Sequence, residues 1–227
     1  MDSPANLAFW MVAVLLEAFA SGLIALRGKL RGYRMLACYF AGCVLRDVML
    51  GETVLRHGIA SSQFLYIYFY GECFLAILLY LAVVEHCERV SASKTAQKHL
   101  RVASFTLAAC LGVFCYVVVT QSSANVAAHL AVEYSDVLSL ATAAFGLLLL
   151  LLSLWKKEVS LHDRLLALVL ASYPLMASWQ FFLRVLFPGH YTAAAYSASL
   201  LGILLPLGVA SIFSYPATAE KGPFLYL

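Results

Sequence analysis

Apolar positions along this chain come in runs of about twenty residues, and the breaks between them are short and charged or rich in Gly and Ser. A bilayer hydrocarbon core of about 30 Å needs roughly 20 apolar residues in a helix that crosses it. Read against that length, the pattern predicts spans near 7–26, 35–54, 64–84, 102–119, 126–155, 165–187 and 192–214. The expected fold is all-α, a polytopic bundle of seven transmembrane helices forming a single transmembrane domain over residues 1–227. The fifth run exceeds one bilayer thickness, and its ionisable residues fall in its first turns, so that helix is expected to tilt or to project from the hydrocarbon.

Basic residues orient the bundle. Arg27, Lys29, Arg31 and Arg34 follow the first run, Arg89, Lys94, Lys98 and Arg101 follow the third, and Lys156, Lys157 and Arg164 follow the fifth. All three connections lie on one side of the membrane, whereas the opposite side offers Arg56 alone. The positive-inside rule makes the basic side cytoplasmic, with the N-terminus outside and the C-terminus inside. An offset of 130 residues sets Arg34-Met35-Leu36-Ala37 against Arg164-Leu165-Leu166-Ala167, which suggests a 3+1+3 parallel repeat with the fourth helix as linker.

Composition sharpens this. At 63% hydrophobic and 12% charged, the 227 residues carry too little polar surface to coat a soluble globule. Asp2 and the lack of any Lys or Arg before the first run argue against a secretory signal peptide, so the first helix is expected to stay. Connections are short, the longest being 85–101, leaving no room for a soluble catalytic or nucleic-acid-binding domain. Five of the six cysteines fall inside apolar runs, with Cys87 placed in a basic connection, and small packing thiols are the expectation.

An ionisable side chain inside lipid costs roughly 2.5 to 3.5 kcal/mol, so each one should face a bundle interior, a wet cavity or a partner. Arg46, Asp47 and Glu52 fall in the outer half of the second helix and Glu72 near the middle of the third. His129, Glu133 and Asp136 fall at the outer end of the fifth, Gln180 and Arg184 in the outer half of the sixth, and Glu17 near mid-depth in the first. Tyr173, Gln180 and Arg184 share a face of the sixth helix at steps of seven and four, as do Thr192, Tyr196 and Ser199 of the seventh. Convergence of these stripes predicts an outward-opening polar pocket lined by Arg46, Asp47, Tyr68, Glu72, Glu133, Asp136, Gln180, Arg184 and Tyr196. Such a pocket holds more carboxylates than cations, which predicts proton-linked or cation-linked behaviour. The plainer expectation from the same residues is a set of interhelical ion pairs, Arg46 with Glu72 and Arg184 with Glu133 or Asp136.

His129 and Glu133 at i and i+4, with Asp136 beyond, also form a sparse candidate metal set. Tyr66, Tyr68, Phe69 and Tyr70 read as an interfacial aromatic belt or as one wall of the pocket. The cofactor is unknown. Lys29, Lys94, Lys98, Lys156, Lys157 and Lys221 all lie outside the spans, so no retinal Schiff base is expected, and His129 alone lies near a span interior, so no bis-histidine haem is expected.

These observations predict an integral protein of a plasma or bacterial inner membrane that binds a small ligand or ion and acts as a sensor or accessory membrane subunit, without enzymatic activity. A proton- or cation-linked solute transporter is the alternative, and a structural subunit the third. Expected partners are the lipid bilayer and either further copies of the chain or other membrane subunits, with no nucleic acid.

Overall fold

The computed structural model describes residues 4–26, 32–91, 93–122, 126–156, 159–186 and 191–214; at 4–9, 122, 177, 179–186 and 191–202 it describes the backbone alone. These residues form seven helices and no strand: α1 (Pro4–Leu26), α2 (Arg34–His57), α3 (Ser62–Val90), α4 (Lys94–Ser122), α5 (Val126–Trp155), α6 (Leu161–Leu186) and α7 (Tyr191–Ser214). The all-helical class agrees with the apolar runs, because a backbone placed in hydrocarbon must satisfy its own N–H and C=O groups within each segment.

Three of the helices, over Ser62–Val90, Lys94–Gln121 and Val126–Trp155, are long and apolar enough to cross a bilayer, and Trp10–Leu26 and Ile203–Ser214 add shorter apolar stretches. The chain is a membrane protein. At 30 residues α5 is about 45 Å long, more than the hydrocarbon thickness, as its sequence suggests.

One expectation changes. The stretch 85–101, read as the longest connection, is almost wholly helical, since α3 continues to Val90 and α4 begins at Lys94. Once past the hydrocarbon, charged side chains such as Glu88 and Arg101 are free to pair across the two helices, and the chain has no reason to unwind. Cys87 accordingly sits inside α3, buried, with its thiol 3.9 Å from the Phe145 carbonyl oxygen.

Neighbours in the bundle run α1, α2, α3, α5, α6, α7 and back to α1, a ring of six, while α4 packs outside against α5 and α3. Ile24, Phe40, Val83, Leu149, Leu166 and Phe213 fill the ring's core. The α5–α6 seam is tight because Gly146 lacks a side chain: a Cβ there would come within 2.8 Å of the Ala171 backbone. Small residues of this kind let membrane helices approach closely where burial alone gives little drive.

Candidate functional site

Four side chains from three runs, Glu17, Arg46, Asp47 and Glu72, come together between α1, α2 and α3, with the Glu72 side chain 43% exposed. Tyr39, Cys43, Arg46 and Asp47 recur on α2 at steps of four and three or four, so they share one face, and Tyr39, Cys43 and Asp47 are buried on it. Arg46 reaches across to α3, where its Nη1 donates to Glu72, and it folds back so that its Nε donates to Asp47 Oδ1 at 2.7 Å. Gly71 makes the crossing feasible, because a Cβ at that position would lie 2.9 Å from the Arg46 stem. Asp47 and Glu72 therefore compete for one guanidinium.

Glu17 of α1 completes the group. It is 6% exposed and lies within electrostatic reach of Asp47, Arg46 and Glu72. Its Oε2 is buried and has no hydrogen-bond partner among the described residues. A turn and more towards the start of α2, the Tyr39 hydroxyl donates to the Tyr173 hydroxyl of α6 at 3.4 Å, bridging α2 and α6 across the ring. Three carboxylates from three helices thus surround a single arginine, an arrangement that apolar surroundings tolerate only if a proton or a bound cation offsets part of the charge.

Other candidates from the sequence lie elsewhere. Tyr68 is exposed and stacks on Phe64 one turn earlier, with ring centroids 6.3 Å apart. His129 and Glu133 are exposed on the flank of α5, with Glu133 within electrostatic reach of Cys115 on α4, and Asp136 is half-buried. Among the described residues no three His, Cys, Asp or Glu side chains gather closely enough to hold a metal ion, so His129, Glu133 and Asp136 do not converge as their spacing suggests. The side chains of Gln180, Arg184 and Tyr196 lie outside the described residues, as do the pairings expected of Arg184.

A second polar group, at the basic end of the bundle, escapes a reading by spans because its members sit at span ends. Asp163, in the first turn of α6, accepts a hydrogen bond from the Tyr33 hydroxyl at 2.9 Å, and Arg89 of α3 approaches the same oxygen at 3.6 Å. The Arg89 guanidinium also lies 4.2 Å from the centre of the Tyr33 ring. Ser160 caps α6, its hydroxyl accepting from the Asp163 N–H at 3.1 Å and donating to Oδ2 at 2.9 Å. His86 of α3 stacks on Tyr33 and contacts the Asp163 carbonyl oxygen through Nε2 at 3.1 Å. Burial alone would raise the Asp163 carboxyl, but the His162 ring 4.0 Å away, the charge of Arg89 and the hydroxyls of Ser160 and Tyr33 outweigh it and hold the group below the usual carboxylate range.

Nearby, Glu85 of α3 accepts from the backbone N–H groups of Arg34 and Met35 at 3.3 and 2.9 Å, capping α2 from a neighbouring helix. Arg101 of α4 donates two bonds to Glu88, at 2.8 and 2.5 Å. The sequence signal for this group is Ser160-x-x-Asp163 ahead of an apolar run, a capping signature that marks a helix start. No protein family, no curated protein and no solved structure matches the chain.

Proposed function

We propose that the chain is a seven-span membrane subunit, N-terminus outside and C-terminus cytoplasmic, that binds a proton or small cation at Glu17, Arg46, Asp47 and Glu72 and signals its presence as a sensor or accessory subunit. The observation that carries the reading is the buried Glu17 oxygen without a hydrogen-bond partner among the described residues, beside two further carboxylates and one guanidinium. An orphaned acceptor in apolar surroundings costs about 1–3 kcal/mol, and a proton or cation there recovers it.

Seven spans are supported by the outward faces of the helices. Leu15, Leu45, Phe74, Phe114, Leu151, Leu168 and Leu204, one from each helix, are exposed large apolar side chains, a surface suited to acyl chains and unsuited to water. Orientation rests on the basic connections, and a reporter fused at Ala92 is expected in the cytoplasm with one at Ser122 outside; the reverse placement contradicts it.

Binding without passage is favoured by the basic end, where Asp163, Tyr33 and Arg89 tie the ends of α2, α3 and α6 together. Transport is the second reading, and it has its own support. The ring order is preserved when α1, α2 and α3 are exchanged for α5, α6 and α7. At the 130-residue offset the pairs Leu36 and Leu166, Ala37 and Ala167, and Phe40 and Leu170 are all buried. Tyr33 touches its own counterpart, Asp163, as residues on a two-fold axis do. Pro174, directly after Tyr173 in α6, offers a bending point beside the cluster. Proteoliposomes separate the readings. Cation- or proton-dependent stabilisation without flux supports a sensor, and solute uptake abolished by Glu72→Gln supports a transporter. Neither binding nor flux in the unmodified protein rejects both.

A further inference from the structure

At the basic ends of α2, α3 and α4 an open cleft of about 410 Å³ is lined by Arg34, Arg89 and Arg101, with Gln97, Glu85 and Glu88. That volume is roughly a dozen water molecules' worth, enough for a phosphate group with its ester neighbours and some solvent. Each guanidinium comes from a different helix. The two carboxylates in the wall are already used: Glu85 caps the start of α2 through the Arg34 and Met35 N–H groups, and Glu88 is held by both donors of the Arg101 fork. Arg89 is engaged with Asp163 and Tyr33 on its far side. Among the described residues the Arg34 side chain makes no hydrogen bond or ion pair, and it is exposed at the rim.

We infer that this cleft binds a phosphate-bearing anion, with Arg34 as its principal donor and Arg101 and Gln97 completing the cradle. Three fixed features support this. The wall carries three guanidiniums against two carboxylates, and Arg34 is in no ion pair among the described residues. Arginine presents planar donors that match two phosphate oxygens at once. The cleft also sits where α3 and α4 leave their apolar segments, the depth at which lipid phosphates lie, and Arg27, Lys29, Arg31 and Lys94 flank it in sequence. A lipid headgroup and free phosphate share this chemistry.

The test uses the full chain in neutral detergent, titrated with phosphatidylglycerol, phosphatidylcholine or inorganic phosphate, with native mass spectrometry and thermal stability as readouts. Saturable phosphatidylglycerol binding is expected, weakened about fivefold in Arg34→Gln. Lys98→Gln, which removes a charge beside the cleft without lining it, is expected to leave binding unchanged. Displacement of the lipid by inorganic phosphate identifies free phosphate as the occupant, and failure to displace it identifies the headgroup. Equal losses in Arg34→Gln and Lys98→Gln, or equal binding of the two lipids, overturn the site. Arg34 takes no part in the Glu17 cluster, so this result is independent of cation binding there.

Discussion

The two polar groups of the bundle use similar side chains to opposite ends. At the basic end, one carboxylate, Asp163, collects Tyr33, Ser160 and Arg89, and both of its oxygens are satisfied. Between α1, α2 and α3 two carboxylates, Asp47 and Glu72, share Arg46, and one buried oxygen of the nearby Glu17 stays without a partner among the described residues. A carboxylate satisfied in this way fixes where helices end and how they sit, even with the buried His86 Nδ1 left without a partner among the described residues; an unsatisfied carboxylate has capacity left for a ligand. The same residue types therefore separate into a structural and a chemical role by how their hydrogen bonds are used.

Asp163→Ala should separate the roles most sharply. It removes the acceptor of the Ser160 hydroxyl, a tyrosine hydrogen bond and an ion pair together, and the expected loss is about 2 kcal/mol of unfolding free energy in detergent, scaled down because Arg89 is partly exposed. Cation or proton binding at Glu17 should survive. The pH dependence follows from the same residue. Folding holds the Asp163 carboxyl below its ordinary range, so its stabilisation is complete at neutral pH and is lost as pH falls below the range in which an unfolded aspartate protonates. Thermal unfolding of the unmodified protein should accordingly decline on acidification more steeply than that of Asp163→Asn.

Gly146→Ala is the expected middle case. Its new methyl meets backbone rather than a flexible side chain, so α5 and α6 must part, at roughly 1 to 2 kcal/mol by denaturant or thermal unfolding. It touches neither polar group and provides the control for a purely steric loss.

Glu17→Gln should show the smallest effect on stability, within about 1 kcal/mol of the unmodified protein, because the neutral amide keeps the shape and charge of a protonated carboxyl. Ion-dependent stabilisation should vanish in the same variant. A large loss of stability with ion binding intact would assign Glu17 to structure and erase the contrast with Asp163.

Much of this was legible in the order of residues, and the exceptions share a cause. Helices announce themselves by the length of their apolar runs, and Arg46 with Glu72 follows from two opposite charges at similar depth. Which helix faces which is harder to read, because lipid and core accept the same leucines. Glu133 illustrates the difficulty: its spacing from His129 and Asp136 marks a helix face, yet nothing in the run says that this face turns towards α4 rather than into the ring. The Asp163 group was hidden differently. Tyr33, His86, Arg89 and Asp163 read as topology-setting or connecting residues because they fall at span ends, and only the contacts between helices reveal a network.

The most direct test is infrared difference spectroscopy of the full chain in lipid, following the carbonyl stretch of a protonated carboxylic acid in apolar surroundings. The expected result is such a band that disappears in Glu17→Gln and is diminished or shifted when a small cation is added. A spectrum identical in Glu17→Gln and the unmodified protein, with no response to any cation, would contradict proton or cation binding inside the ring.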